Sequence, residues 1–540
     1  MCRADLSRAI LLTVLPLLLA CETKVKPDDS CGDGFLDPGE ACDGADLNQQ
    51  SCQSLGYYLP TGTLGCRSDC DFDLSGCGGA FCGNGIADGP EECEGSQLQG
   101  ATCNSQGHYP GTLACAQDCR FDFSGCGGTC GDGIVQEPHG EQCDQGSFEE
   151  TCAGLGYWHG QVTCAACLVE ADGCRGVVAM AIGETHACAL DDQGTIFCWG
   201  SNGSGQLGLG SAEPSSLVPA PVTAPEGVRF THVAAGSLHT CALDEEGRAW
   251  CWGVNEFGQL GIYDSQVTHA TSPMAVLMPG DTRFSGISAR HQTTCALDLF
   301  GNAWCWGANS YGQLGIGTIG GHEGLPSEVV MPAGVDFASI AVGSFHVCAL
   351  GLDGQAFCWG LNQDHQLGDE TTVIRESPSM VATELRFASI AAGGGHSCGV
   401  RAQGDAFCWG RNDFGQLGDE AYVNQPHPVA VSMPLGTLFA RLDLGASASC
   451  ALDTDGAAWC WGGDFNGILG NGPANDSPAP SRVVMPGDFA FATVSCHFFS
   501  CCASGTEGAL WCWGNNGSGQ LGDGTIENAD VPAPVLAPVQ

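Results

Sequence analysis

Sulfur is the most regularly spaced reactive chemistry in this sequence: 36 of 540 residues are cysteine. Eighteen of them fall in three sets of six, at 31, 42, 52, 66, 70, 77, then 82, 93, 103, 115, 119, 126, then 130, 143, 152, 164, 167, 174. Fourteen more form seven pairs, each ten residues apart, beginning with Cys188 and Cys198. Such thiols form disulfides, hold zinc, or pack as buried apolar groups. Cys164-x-x-Cys167 has zinc-ribbon spacing, but its equivalents Cys66/Cys70 and Cys115/Cys119 are spaced differently. High density at regular spacing points to disulfides, and disulfides point to export from the reducing cytoplasm. Carboxylates offer a second chemistry. Asp33, Glu40 and Asp43 in the first set, and Asp132, Glu141 and Asp144 in the third, are hard oxygen donors of the kind calcium takes. The competing reading is that Gly-Asp-Gly is turn chemistry, and no other metal or cofactor is expected. Four histidines, His186, His239, His346 and His396, stand two residues before the first cysteine of a pair. They share one strand face and would converge to bind metal if that face met an axis. Thr293, Ala448 and Ser500 at the equivalent places favour a structural role, hydrogen bonding to backbone. There is no P-loop, no Gly-x-Ser-x-Gly and no His-Glu-x-x-His, so the expectation is a protein that is not an enzyme.

Charge and composition narrow the partners. Lys+Arg is 17 and Asp+Glu is 61, a net charge of −44. A surface this acidic repels phosphate, which excludes nucleic-acid binding driven by counterion release. Hydrophobic content of 43% is too high for a disordered chain, and 82 glycines imply many turns. Arg3 and Arg8 precede an apolar run from Ile10 to Ala20, too short to span a bilayer but suited to a signal-peptide core. The run ends Leu18-Leu19-Ala20-Cys21, which resembles a bacterial lipobox. That resemblance implies a signal peptide over 1–20, lipidation of Cys21 and a polar tether over 21–30. The expected location is outside the cytoplasm, lipid-anchored to the bacterial outer membrane and exposed at the cell surface.

The organisation is repetitive throughout. Cys31-Gly-Asp-Gly recurs as Cys82-Gly-Asn-Gly and Cys130-Gly-Asp-Gly, and Cys70-Asp-Phe-Asp-Leu-Ser-Gly-Cys77 recurs as Cys119-Arg-Phe-Asp-Phe-Ser-Gly-Cys126. These units, 31–77, 82–126 and 130–174, resemble the cysteine-rich disulfide repeats of myxobacterial surface proteins. Each has few large apolar groups, so cross-links must supply its stability. Three bridges per unit are expected, and six cysteines allow about 15 pairings between which the sequence does not choose.

From 177 the period changes. Cys-Trp-Gly occurs seven times, first at 198–200 and last at 512–514, in steps of 50 to 54 residues. The second unit reads Ala235-Gly236-Ser-Leu-His239-Thr-Cys241-Ala-Leu-Asp244-Glu-Glu-Gly247-Arg-Ala-Trp250-Cys251-Trp252-Gly253-Val-Asn255-Glu-Phe-Gly258-Gln-Leu-Gly261. This is similar to the regulator-of-chromosome-condensation repeat. The resemblance implies an all-β protein: a seven-bladed β-propeller over 177–540, one repeat per blade, behind an N-terminal array of small disulfide-rich repeats. The residues agree. Every unit keeps a glycine six positions after its first cysteine, as a three-residue hairpin loop ending in a left-handed residue requires. Such a loop sets each cysteine opposite its partner. The expected bridges are Cys188–Cys198, Cys241–Cys251, Cys295–Cys305, Cys348–Cys358, Cys398–Cys408, Cys450–Cys460 and Cys502–Cys512. Cys496 and Cys501 remain, to bridge each other or stay free. The first unit lacks a preceding Pro-rich strand and the last ends on one, so the two chain ends are expected to complete one blade between them and lock the ring.

Function then falls to surfaces. The aromatic positions Phe197, Trp250, Trp304, Phe357, Phe407, Trp459 and Trp511 read as packing, and Asn202, Asn255, Asn309, Asn362, Asn412 and Asn516 as turn caps. Two residues after each of these asparagines, and after Asp464 in the sixth unit, one position varies: Ser204, Phe257, Tyr311, Asp364, Phe414, Asn466, Ser518. Variable loops on a rigid scaffold carry recognition, and Phe257, Tyr311 and Phe414 are aromatic anchors. The expected partner is a protein or glycan at the cell surface. Two rivals stand beside this. Guanine-nucleotide exchange is implied by the family's eukaryotic namesake. A secreted glycosidase is implied because Asp-x-x-Gly-x-x-Trp resembles the hairpin boxes of sialidase-type propellers.

Overall fold

The computed structural model describes residues 31–34, 36–55, 57, 62–77, 87, 91–144, 150–211, 213–262, 266–473, 475–484, 487 and 490–538. The signal peptide, the lipidation site Cys21 and the tether lie outside the described residues. The chain falls into two units, one of Met1–Phe148 with Ala166–Leu168, the other of Glu149–Ala165 with Val169–Gln540. No helix among the described residues is long and apolar enough to cross a membrane.

In the first unit, short chains with few apolar side chains organise around sulfur. Cys31–Cys70, Cys42–Cys66 and Cys52–Cys77 are bridged, which pairs the first cysteine with the fifth, the second with the fourth and the third with the sixth. Cys93–Cys115, Cys103–Cys126 and Cys130–Cys167 follow the same order. Among the described residues, regular structure is short: two-residue strand pairs, Gly65–Cys66 on Phe72–Asp73 and Ala114–Cys115 on Phe121–Asp122, and three-residue helical turns at Leu74–Gly76, Asn104–Gln106 and Glu137–His139. In the first repeat the apolar core is Cys52, Leu64 and Cys77, with Leu47, Leu55, Tyr57, Phe72 and Leu74 packed against it.

The second unit holds seven four-stranded antiparallel sheets, the blades of a propeller. Blade 1 is Val177–Ile182, His186–Asp191, Ile196–Ser201 and Ser215–Pro221, in that spatial order. The first strand of each blade lines the axis and the Pro-rich strand lies outermost, where proline's missing N–H costs no ladder bond. Gly194 takes φ +80° in the hairpin between the middle strands, and Cys188 pairs in register with Cys198. All seven ten-residue pairs are bridged. Cys496 is bridged to Cys501.

Ring closure differs from the expectation. The two chain ends do not share a blade: blade 7 is Phe491–His497, Ser500–Gly505, Leu510–Gly514 and Ala529–Pro534, four consecutive strands like every other blade. The Pro-rich segment of each repeat pairs with the Cys-Trp-Gly strand before it, so a blade begins with the axial strand and nothing is left over. The ring closes instead through an interface like the other six. Val177 donates its backbone N–H to Gly508 at 3.1 Å, as Phe230 does to Gly194. Trp199 donates its indole N–H to the Gln520 carbonyl. A clasp lies over this seam. Trp158, 3% exposed, packs with Val177, Trp199 and Val535, meets Phe197 edge to face at 5.4 Å and donates to the Leu536 carbonyl. Cys152–Cys174 closes the loop that carries Trp158, and the Gly156 carbonyl receives the Ala509 N–H. Residues 149–165, at the end of the cysteine-rich sequence, are thus part of the propeller unit.

Candidate functional site

Every blade interface repeats one tryptophan–glycine contact, and four of the seven add a histidine. The tryptophan of Cys-Trp-Gly is fully buried and donates to a carbonyl in the loop of the preceding blade, as Trp252 does to Gln206 at 2.9 Å. The glycine after Gln-Leu makes room for it: a Cβ on Gly208, at φ +69°, would meet the Trp252 Nε1 at 2.8 Å. The four repeated histidines complete the contact. His186 bonds Thr240 at 2.8 Å, His239 bonds Thr294 at 2.9 Å, His346 bonds Ser397 at 2.9 Å and His396 bonds Ser449 at 3.0 Å. Each hydroxyl belongs to the next blade and donates its own proton to a glutamine carbonyl, Thr240 to Gln206 and Ser449 to Gln416 for example. It therefore accepts from histidine Nε2–H, which fixes the tautomer. These histidines do not converge on the axis, and they bond neighbouring hydroxyls rather than backbone. Burial holds their pKa down at about 3, so they are neutral and inert.

The sequence carried a signal for this pairing that the sequence reading missed. Where a unit has the histidine, the following unit has Thr or Ser just before its first cysteine. Where it does not, that position is Val347, Cys501 or Ala187.

The candidate binding residues lie on one end of the ring. Phe257, Tyr311 and Phe414 sit in loops between the third and fourth strands of blades 2, 3 and 5, at the same end as the turns joining first and second strands. They do not meet one another; each seeds its own contact. Phe257 lies edge-on to His322 at 6.4 Å. Tyr311 meets Phe345, which packs on His291 at 4.7 Å. Phe414 meets Phe465 at 5.0 Å, Phe465 meets Phe499 at 5.3 Å, and Phe499 meets Phe498 at 5.6 Å. The Arg411 guanidinium lies over Phe414 and is ion-paired to Asp413. Phe465 is 37% exposed. This run of four phenylalanines spans blades 5 to 7, and three of them fall outside the varying position at which the sequence placed its anchors. The loops are held from behind. Asn412 Oδ1 receives the Leu417 N–H and its amide donates to Asp419 and Ala421, and Asp464 receives Leu469 in the same way.

The calcium candidates are engaged locally. Asp43 receives the N–H groups of Gly32 and Gly34, and Glu40 that of Asp37. Asp144 receives Gly133, Glu141 receives Gln136 and the Tyr109 hydroxyl, and Asp132 receives Thr129 and Ile134. All but the Tyr109 contact are bonds from backbone N–H groups of nearby turns. Cys167 is bridged to Cys130 and Cys164 is also in a disulfide, so neither sulfur is available as a thiolate.

Residues 146–496 match the RCC1-like domain family, and residues 507–540 match the Regulator of chromosome condensation (RCC1) repeat. The chain is 34% identical over 202 residues to the ultraviolet-B receptor UVR8 of Arabidopsis thaliana, covering 37% of this chain and 45% of that one. It is 34% identical over 206 residues to the probable E3 ubiquitin-protein ligase HERC4 of Homo sapiens, covering 38% of this chain and 19% of that one. The chain thus spans less than half the length of these relatives. Among solved structures, human WBSCR16 superposes with TM-score 0.58 at 22% identity, over 64% of this chain and 96% of that one. Yeast RCC1 (Prp20), solved bound to Kap60, superposes with TM-score 0.58 at 23% identity, over 64% and 84%. At these identities the likeness shows the fold.

Proposed function

From the premise that the chain belongs to the RCC1-like domain family, we propose that it is an exported, non-enzymatic lipoprotein whose propeller captures a protein or glycan at the cell surface. The observation that carries this reading is the set of aromatic contacts on one end of the ring, above all Phe414, Phe465, Phe498 and Phe499. Aromatic side chains offered in loops on a rigid scaffold are what interfaces and sugar sites use. The loops are fixed by buried asparagines and each blade by a disulfide, so little conformational entropy is lost when a partner orders them. Cys21 provides the lipid anchor, which suits a protein whose many cysteines need an oxidising compartment.

The test has two arms. Purified wild-type protein and a Phe257→Ser/Tyr311→Ser/Phe414→Ser variant are applied to intact cells and to a glycan array. Binding is expected for the wild type and lost in the variant, with both melting alike; equal binding by the two refutes this face. Mass spectrometry of the protein's N-terminal peptide is expected to find acylated Cys21, and Cys21→Ser to release the protein from membranes. An unprocessed leader with free thiols at Cys188 and Cys198 would return the protein to the cytosol.

A further inference from the structure

The axial strands enclose a cavity of about 230 Å³ lined by every blade. Most of its lining residues are small or aliphatic, the surface they turn to it is mainly polar, and its charged and titratable lining groups are Arg290 from blade 3, Asp443 from blade 6 and His497 from blade 7. Two of these stand where the repeat otherwise has glycine. Gly183, Gly236, Gly343, Gly393 and Gly445 occupy the position five residues before the first cysteine of blades 1, 2, 4, 5 and 6, whereas blades 3 and 7 have Arg290 and His497. The reason for the glycine is local: a Cβ on Gly183 would lie 2.3 Å from the His186 ring. Blades 3 and 7 have Thr293 and Ser500 in place of that histidine. Losing the interface histidine therefore frees the preceding position to carry a polar side chain at the axial cavity.

Arg290 is 5% exposed. One guanidinium nitrogen donates to the Ala392 carbonyl of blade 5 at 3.3 Å, while Nε and the other Nη have no partner among the described residues. His497 is 2% exposed, and neither of its ring nitrogens is hydrogen-bonded among the described residues. Asp443 does not answer this deficit. Its carboxylate already receives the N–H groups of Leu444 at 2.8 Å and Cys496 at 2.9 Å, and a bond from Ser495, and no ion pair joins it to Arg290 among the described residues. Burial lowers the Arg290 pKa only to about 10, with the Asp443 charge opposing the shift, so it is charged at neutral pH, and buried N–H groups of a guanidinium left without acceptors are unfavourable. What the cavity leaves unused is a set of donors on Arg290 and His497.

We propose that the axial cavity is a binding site for a small monocarboxylate, its carboxylate on Arg290 and His497. Guanidinium and carboxylate match in a two-point contact. The volume is below that of drug-sized pockets and suits a ligand of a few heavy atoms. Asp443 penalises a dianion more than a monoanion, which selects against phosphate. This site is distinct from the aromatic loops and stands or falls without them.

The probe is carbon-13-labelled propionate, titrated into the full-length oxidised protein at fixed ionic strength and followed by NMR line shape and calorimetry. One saturable site is expected, with phosphate and chloride failing to compete. Arg290→Met removes the binding while keeping side-chain length. Asp443→Asn, which keeps the shape and one of the two bonds from Leu444 and Cys496, tightens it. Absence of saturation in the wild type, binding that survives Arg290→Met, weaker binding in Asp443→Asn, or competition by phosphate each overturns the proposal.

Discussion

The cysteine-rich unit and the propeller use the same cross-link for opposite purposes. In the first, Cys31–Cys70, Cys42–Cys66 and Cys52–Cys77 close separations of 39, 24 and 25 residues in a chain with almost no ladder and a core of a few side chains. Without the bridges those loops have nothing to hold their ends together. In the propeller, Cys241 and Cys251 are ten apart in a hairpin whose register, left-handed Gly247 and flanking strands already place them opposite each other. Behind that hairpin lie fully buried Trp252 and a continuous apolar cluster reaching the next blade. There the bridge stiffens what packing has already built. Counting disulfides does not reveal which of the two roles they play; the apolar area each loop buries does.

Full reduction at neutral pH separates the two regions most sharply. Amide exchange in residues 31–144 is expected to rise to unfolded rates, while the propeller strands stay protected; loss of both together would show that the propeller also depends on its bridges. Acid reverses the order of failure. His186, His239, His346 and His396 have folded pKa values of about 3 against an ordinary 6.5. Their stability contribution is complete above 6.5 and is lost as pH falls below it, because the unfolded chain then takes up protons that the fold refuses. Each accounts for about 1.4 kcal/mol per pH unit over that window. No histidine is buried among the described residues of the first unit. Oxidised protein is therefore expected to lose the propeller first between pH 6 and 4, as read by circular dichroism of Trp signals, and His239→Thr to flatten that slope.

Single substitutions give smaller steps. Trp461→Ala deletes a fully buried indole and its bond to the Gln416 carbonyl, and is expected to cost about 3–5 kcal/mol in denaturant melts. Cys241→Ala/Cys251→Ala is expected to cost about 2 kcal/mol and leave a folded ring, where the same change at Cys42 and Cys66 unfolds its repeat. Tyr311→Ser is expected to change stability by less than about 1 kcal/mol and to be visible only in binding.

Much of this was legible in the residues. The period of Cys-Trp-Gly gave the number of blades, and the glycine six after each first cysteine placed Cys188 across from Cys198, because a tight hairpin leaves one register. Short-range patterns of this kind survive in sequence since the residues that satisfy them are close along the chain. The ring closure was misread for the complementary reason. Which of two neighbouring strands the segment Ser215–Pro221 joins is decided by packing between blades, and both choices give the same string of letters. The histidine and hydroxyl partners stand 51 to 55 residues apart, so their matching showed only once neighbouring blades were superposed.

What the sequence determined by itself is therefore the local geometry and its repetition: the hairpins, the cysteines that face each other and the buried tryptophans. What only the tertiary structure decided is everything that requires two distant segments to meet. It set Trp158 over the seam between the first and last blades, brought Phe414, Phe465, Phe498 and Phe499 into one run across three blades, and put Arg290 and His497 at the wall of one cavity. Closing a ring fixes these contacts through the angle between blades, a quantity summed over all seven and written at no single position of the chain.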